Sequence, residues 1–331
     1  MSTRSLFVTA VLMLPLMACS SPAPAPVPAP APEPAAIGRY ELPASVSFPE
    51  GIAHDASSGV FYTGGAQDGT LVRVNAETGA VDVVAAAGVL VPTDNSTFPA
   101  VLGMELDDRK RLWIAGGSTG NIWVVNSSDG AVVKKVTVPT AGKSLINDVA
   151  IVGNAGYFTD TFVPTLWRLA ATVNTIGNLE PWLDLNGTAI AYGEGANLNG
   201  ITATPDGQTL IVVQMGMGLL FKIDVATKAV SAIDTAGADL SGADGLVLDG
   251  NTLYVVRQTA VEIATVQLSD NMTRGTVTAR FKDPMLAWPA TAVKTGDELV
   301  VVNTQFNTRS DNSTTRPFTL LRVPISRLTP R

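Results

Sequence analysis

Glu50, Asn147, Asn199 and Asp244 are the residues of this chain best suited to hold a hard cation, since two carboxylates and two amide carbonyls supply the oxygen donors that Ca²⁺ prefers. They share one register. Each opens a short strand-like run, as do Leu102 and Ala290, and the six positions recur about 45 to 52 residues apart. A period of that length marks the four-stranded blades of a propeller. In a closed ring the first residues of the innermost strands crowd the central channel, so the four oxygen-bearing side chains should meet there. Leu102 and Ala290 then give the channel an apolar side.

The elements that must position these residues follow one plan: an apolar strand from the register residue, a tight polar turn, a second strand rich in β-branched residues, then two more. The fourth repeat is the plainest. Asn199 to Thr204 leads through Pro205-Asp206-Gly207 to Thr209–Val213, then Gly218–Asp224 and Ala229–Ile233. Proline presets φ and glycine accepts positive φ, so Pro-Asp-Gly is a turn with a mechanism. No segment keeps a helical period, and the chain reads as all-β: a six-bladed β-propeller over residues 37–331. The sixth repeat runs out of sequence after three strands, and an orphan strand, Gly38 to Leu42, is free to supply the fourth. Closing the ring with the N-terminal strand removes a sheet edge and ties the termini together. The segment from Asn303 to Pro317 is long for this plan, and long loops on rigid scaffolds tend to carry function.

At 331 residues, with 46% hydrophobic and 15% charged residues and a net charge of -7, the chain suits one large globular domain and carries no basic stripe for nucleic acid. Arg4 followed by the apolar run Leu6 to Met17 reads as a signal peptide, too short to span a membrane. The run ends in Leu16-Met17-Ala18-Cys19, similar to a bacterial lipobox, and Cys19 is the chain's one cysteine. Residues 1–19 are therefore expected to be a lipoprotein leader acylated at Cys19. Residues 20–36 alternate proline and alanine and form an extended polyproline tether. Together these predict an extracytoplasmic protein anchored to the bacterial cell envelope by lipid alone, periplasmic or on the surface, and a monomer.

The stretches Phe48-Pro49-Glu50-Gly51-Ile52, Ile146-Asn147-Asp148-Val149, Leu198-Asn199-Gly200-Ile201 and Ala243-Asp244-Gly245-Leu246, in order and at blade spacing, resemble the calcium-dependent six-bladed propellers of the gluconolactonase, senescence-marker-protein (regucalcin) and diisopropylfluorophosphatase group. The resemblance covers roughly residues 38 to 327 and implies that Glu50, Asn147, Asn199 and Asp244 bind a catalytic Ca²⁺ or another divalent cation. It implies a small-molecule lactone, ester or phosphoester as substrate, with Asp244 as general base or nucleophile and Glu50 as the alternative base. Substrate contacts are expected at the ends of second strands and the loops after them: Asp160, Gln214, Arg257 and Asn303, with Thr161, Met215 and Gln258 beside them. Phe98 and Trp288, just before register positions, are candidate walls. The one histidine, His54, lies four residues past Glu50 and reads as structural, so a mechanism needing two histidines is excluded.

Asn199-Gly200 and Asp244-Gly245 are also ordinary turn pairs. Glu50 has no such preference, which favours the ring of ligands. A non-catalytic propeller that uses calcium for stability and its loops to bind a glycan, peptide or protein partner is the alternative. No glycine-rich phosphate loop, no Cys/His metal cluster and no serine elbow paired with a histidine is present in the sequence.

Overall fold

The computed structural model describes residues 37–93, 98–311 and 313–329. The expected leader 1–19 with Cys19 and the tether 20–36 lie outside the described residues. Twenty-four strands form six four-stranded antiparallel sheets, with two short 3-10 turns and no α-helix among the described residues. The first strand of every blade lies beside the first strands of the next and the previous blade, so the sheets close into a six-bladed propeller. The sixth sheet is completed by Gly38–Glu41, which pairs antiparallel with Thr319–Pro324 from the C-terminal end. Tyr40 on that strand donates its hydroxyl to Ala76 O at 2.6 Å and so reaches the first blade as well.

The hydrophobic core lies between blades rather than inside any one of them. Ala53, Tyr62 and Leu71 of the first blade pack with Leu112, Ile114 and Trp123 of the second, and Leu210, Val212 and Phe221 of the fourth pack with Tyr157 and Leu166 of the third. Alternating side chains of each strand enter the two neighbouring interfaces, which is why second strands read as continuous apolar runs. Burying one such large side chain contributes about 1.5 to 3 kcal/mol.

Around the channel a repeated irregularity sets the geometry. In the first blade Pro49 pairs with Gly65 and Ile52 with Thr63, so Glu50 and Gly51 carry one residue more than the strand opposite. The same bulge falls between Ile146 and Val149, Leu198 and Ile201, Ala243 and Leu246, and Pro289 and Ala292. A bulge bends the strand and re-aims the side chain that it carries. Every register residue except Leu102 therefore sits on a bulge. Hydroxyls on the second strands take up carbonyls that the bulges free: Thr63 donates to Gly51 O at 2.7 Å and Thr159 to Asn199 O at 2.6 Å.

The residue after the register residue faces the next blade at very short range. A Cβ on Gly51 would lie 2.2 Å from Leu102 O, and one on Gly200 would lie 2.2 Å from Asp244 O. Neither glycine has positive φ. The Gly after Glu50, Asn199 and Asp244 thus serves close approach of backbones and not a turn, which removes the turn-cap reading of those pairs.

Gly200→Ala is expected to destabilise by about 2 to 4 kcal/mol, because the added methyl meets backbone that cannot rotate away. Denaturant unfolding checks this against Gly142→Ala, whose Cβ meets nothing within 4 Å and which should stay within about 0.5 kcal/mol of the parent.

Candidate functional site

The bulges bring Glu50, Asn147, Asn199 and Asp244 to the floor of one cavity of about 260 Å³ at one mouth of the channel. All four are buried, at 3 to 5% exposure. Leu102 joins them in the lining, whereas Ala290 does not. The floor is anchored by the residues that directly follow the second strands. Asn147 donates Nδ2 to Thr161 Oγ1 at 2.9 Å, which points Oδ1 the other way. Gln258 donates Nε2 to Asp244 Oδ2 at 2.6 Å, and Asn199 also hydrogen-bonds the Asp244 carboxylate.

Two acceptors in this floor have no donor. Glu50 Oε2 and Asn147 Oδ1 are buried without a hydrogen-bond partner, a costly state for a carboxylate and an amide in low dielectric. Burial pushes the carboxyls of both Glu50 and Asp244 well above the usual range. For Glu50 the charges of Asp244 and Asp148 raise it further, and for Asp244 the charge of Asp148 does so against the hydrogen bonds from Asn199 and Gln258. Among the described residues no three His, Cys, Asp or Glu side chains gather as a metal-holding group. A cation here would rest on two carboxylates supplemented by two amide oxygens, a donor set that suits a hard ion. The orphaned acceptors fit that role, since a cation supplies the positive charge that no donor provides.

Asp148, one residue after Asn147, lies outside the register positions and is a further acidic residue of the channel. It stands where Glu50, Leu102, Asn199 and Asp244 are followed by glycine, so its carboxylate enters the channel against Gly103, whose Cβ would lie 2.0 Å from Asp148 Oδ1. Its oxygens accept from Val149 N at 2.8 Å and Ile201 N at 3.1 Å. Burial raises its pKa to about 6. The broken run of glycines is the signal that could have found it. Below it, Asp148 and Glu105 line a second cavity of about 430 Å³ at the opposite mouth, with Thr202, Thr291 and Lys294. Burial pushes Glu105 up to about 8, although its Oε2 accepts from Ile151 N at 2.5 Å.

The expected substrate contacts are placed differently. Asp160, Gln214, Arg257 and Asn303 are all buried, and none lines the 260 Å³ cavity. Asp160 Oδ1 caps the next loop by accepting from Leu145 N, Phe162 N and Val163 N, and its Oδ2 accepts from Trp167 Nε1. Gln214 donates to Ala191 O at 2.7 Å, and Asn303 bridges Met285 O, Ala287 N and Thr319 Oγ1. Arg257 pairs with Glu262 and with Asp239 Oδ2 at 2.8 Å, and Glu262 also receives Arg280. These polar ends of second strands tie loops to blades, a demand that the sequence pattern does not separate from ligand contact. Arg257 still bears on the floor, because its ion pairs fix the turn from which Gln258 reaches Asp244.

The residues that do line the cavity beside the floor are Thr161, Met215, Gln258 and Phe98, together with Leu145, Phe162, Ala196 and Phe306. Trp288 lies outside the lining. Phe306 is carried by the long Asn303–Pro317 segment, which folds back on itself where Gln305 donates Nε2 to Thr315 O at 2.8 Å and accepts from Thr315 N at 2.9 Å. The rings of Phe48, Phe98 and Phe306 stand 5.3 to 6.3 Å apart and fasten this segment to the rim. His54 stacks on Phe61 at 4.8 Å, and burial lowers its pKa, as a packing residue would show.

No protein-family model and no curated protein sequence matches the chain. Among solved structures it is similar to the major allergen Mala s 1 of Malassezia sympodialis, at 17% identity and a TM-score of 0.66 over 87% of this chain and 95% of that one. A calcium-binding protein, regucalcin, from Agrobacterium tumefaciens matches at 15% identity and a TM-score of 0.60 over 88% and 96%. A luciferin-regenerating enzyme matches at 14% and 0.62 over 87% and 95%. At these identities the likeness establishes the propeller fold.

The raised Glu105 carboxyl carries a sign. Its contribution to stability is fully present below 4.5 and is lost as pH rises through about 8, because the unfolded chain ionises first. Metal-free protein should lose up to about 1.4 kcal/mol per pH unit across that window, and Glu105→Gln should flatten the loss. Thermal unfolding of both proteins along a pH series checks this: the variant's advantage must grow with pH, and a constant difference would contradict it.

Proposed function

We propose that this chain is a Ca²⁺-dependent hydrolase of a lactone, ester or phosphoester, held outside the cytoplasm by a lipid on Cys19. The observation that carries the reading is the pair of buried acceptors without donors, Glu50 Oε2 and Asn147 Oδ1, set among two carboxylates under a walled cavity. Glu50, Asn147, Asn199 and Asp244 would hold the cation, Asn199 by turning its amide so that Oδ1 faces the floor in place of Nδ2. When bound, the cation polarises the carbonyl or phosphoryl oxygen of the substrate as a Lewis acid.

The chain's own groups supply the rest. Gln258 fixes the rotamer of Asp244 through Oδ2, which commits that carboxylate to the floor. Glu50, with one carboxylate oxygen given to the cation, would use the other to take a proton from water as the water oxygen adds to the substrate carbon or phosphorus. That proton passes to the leaving oxygen as the C–O or P–O bond breaks. Burial and neighbouring negative charge hold Glu50 above the usual carboxylate range in the metal-free floor, and a bound dication would ionise it, which readies the carboxylate to accept a proton. The likeness to a calcium-binding propeller and to an enzyme of the same fold supports this reading.

A second reading, a non-catalytic envelope propeller with structural calcium that binds a glycan, peptide or protein partner, is favoured by one fact. Asp160, Gln214, Arg257 and Asn303 are engaged by the fold itself, which leaves few polar side chains for a substrate. A panel of lactones, aryl esters and phosphotriesters separates the two. Hydrolysis that chelation abolishes, and that Asp244→Ala lowers by on the order of 10² to 10³, is the expected result. A calcium-loaded protein inert on the whole panel would favour the second reading.

The anchor rests on Leu16-Met17-Ala18-Cys19 and the Pro/Ala tether that follows. Expression in a bacterium with a labelled fatty acid should label the chain and leave it in the membrane fraction. Cys19→Ser should remove both the label and the membrane association, and a variant still labelled and sedimenting would defeat the lipid assignment.

A further inference from the structure

Resting on the hydrolase reading for the reaction but on the walls for the ligand, we infer that the cavity takes an uncharged substrate bearing an apolar chain, and is built against sugar-like and anionic ones. The walls are Phe98, Leu102, Leu145, Phe162, Met215 and Phe306, with Thr161 and Gln258 as the polar side chains above the floor. Thr161 is engaged as donor and acceptor, and Gln258 through its Nε2. Thr161 Oγ1 donates to Leu198 O at 2.7 Å and accepts from Asn147 at 2.9 Å, and Gln258 Nε2 is given to Asp244. A polyhydroxylated ligand would therefore bury hydroxyls against aromatic and aliphatic carbon with few partners, which costs affinity.

Charge points the same way. No Lys, Arg or His is among the described residues lining the cavity. The Arg309 guanidinium lies 3.8 Å from the centroid of the Phe98 ring but is not part of the lining. A dication balances the two floor carboxylates and leaves nothing over for an anion, while Asp148 adds negative charge behind them. A neutral head with one polar oxygen meets the floor without penalty.

The rim shows where a chain longer than the cavity would run. Ala196 is a wall of this cavity and of a neighbouring one of about 320 Å³ that Met217 and Leu219 line together with Glu194, Asn197 and Gln214, the last two donating their amides to Gly193 O and Ala191 O. Phe162, Met217 and Leu219 are 54, 68 and 42% exposed, unusual values for large apolar side chains on one side of a site. An alkyl chain leaving the floor beside Phe162 and crossing Ala196 would cover all three.

The test uses the calcium-loaded mature chain, a series of γ-lactones with lengthening alkyl chains, and glucono-δ-lactone. The second readout is calorimetric binding of the matching alkyl cyclopentanones, which keep the carbonyl and cannot be hydrolysed. Expected are a rise in kcat/KM and a fall in Kd of up to about fourfold per methylene. The sugar lactone should lie at least on the order of a hundredfold below the longest alkyl lactone. Phe162→Lys and Met217→Lys, both at exposed positions, should each flatten the chain-length slope in both readouts. Ketone binding that tightens with chain length while no lactone is hydrolysed would support the ligand class and sink the hydrolase reading. Preferred turnover of glucono-δ-lactone would leave the hydrolase and overturn this inference. Binding and hydrolysis both indifferent to chain length, or slopes unmoved by the two lysine variants, would overturn it as well.

Discussion

Six strands have to start side by side around one narrow channel, and the closeness of that approach governs most of what is specific to this molecule. Where the backbone of one blade meets the next, a methyl group does not fit: a Cβ on Gly51, Gly103, Gly200 or Gly245 would lie 2.0 to 2.2 Å from an atom of the following blade. An extra residue in five of the six first strands relieves the crowding and at the same time turns the preceding side chain inward. Ring closure, glycine placement and the convergence of Glu50, Asn147, Asn199 and Asp244 are consequences of one geometric demand.

That convergence creates an electrostatic problem which the protein's own atoms do not solve. Glu50, Asp148, Asp244 and Glu105 line one channel, and each is held above the usual carboxylate range, first by burial. Hydrogen bonds from Val149 and Ile201 ease Asp148, and Gln258 eases Asp244. Glu50 Oε2 and Asn147 Oδ1 receive nothing. A fold that stores unpaired acceptors in low dielectric sacrifices stability there, and such strain concentrates at functional sites. The same feature that makes the floor unfavourable when empty makes it favourable for a cation.

The sequence carried the architecture because propeller blades are local. Pro205-Asp206-Gly207 is the turn its residues dictate, with Gly207 at φ 68° and Asp206 accepting from Thr204 at 2.6 Å. The orphan strand Gly38–Glu41 completes the last sheet, as a missing fourth strand required. The register also located the four floor residues. What it could not resolve was the use of polar residues at the ends of second strands, since capping a loop and contacting a ligand ask for the same side chains. Asp160, Gln214, Arg257 and Asn303 turned out to be engaged by the loops and blades around them. Phe306 and Phe162 reach the cavity from loops whose path depends on contacts between blades, and Asp148 occupies a place that holds glycine after Glu50, Leu102, Asn199 and Asp244, one residue off the register.

The role of the channel turns on whether its floor binds a cation through the residues that the bulges assemble. Calorimetric titration of Ca²⁺ into metal-stripped protein, run in two buffers of different ionisation enthalpy, tests it most directly. Expected are one ion per chain, proton release on binding because the raised carboxyls must ionise, and at least about a tenfold loss of affinity in Asn147→Leu. Absence of saturable binding, or binding that neither releases protons nor responds to Asn147→Leu, would contradict it.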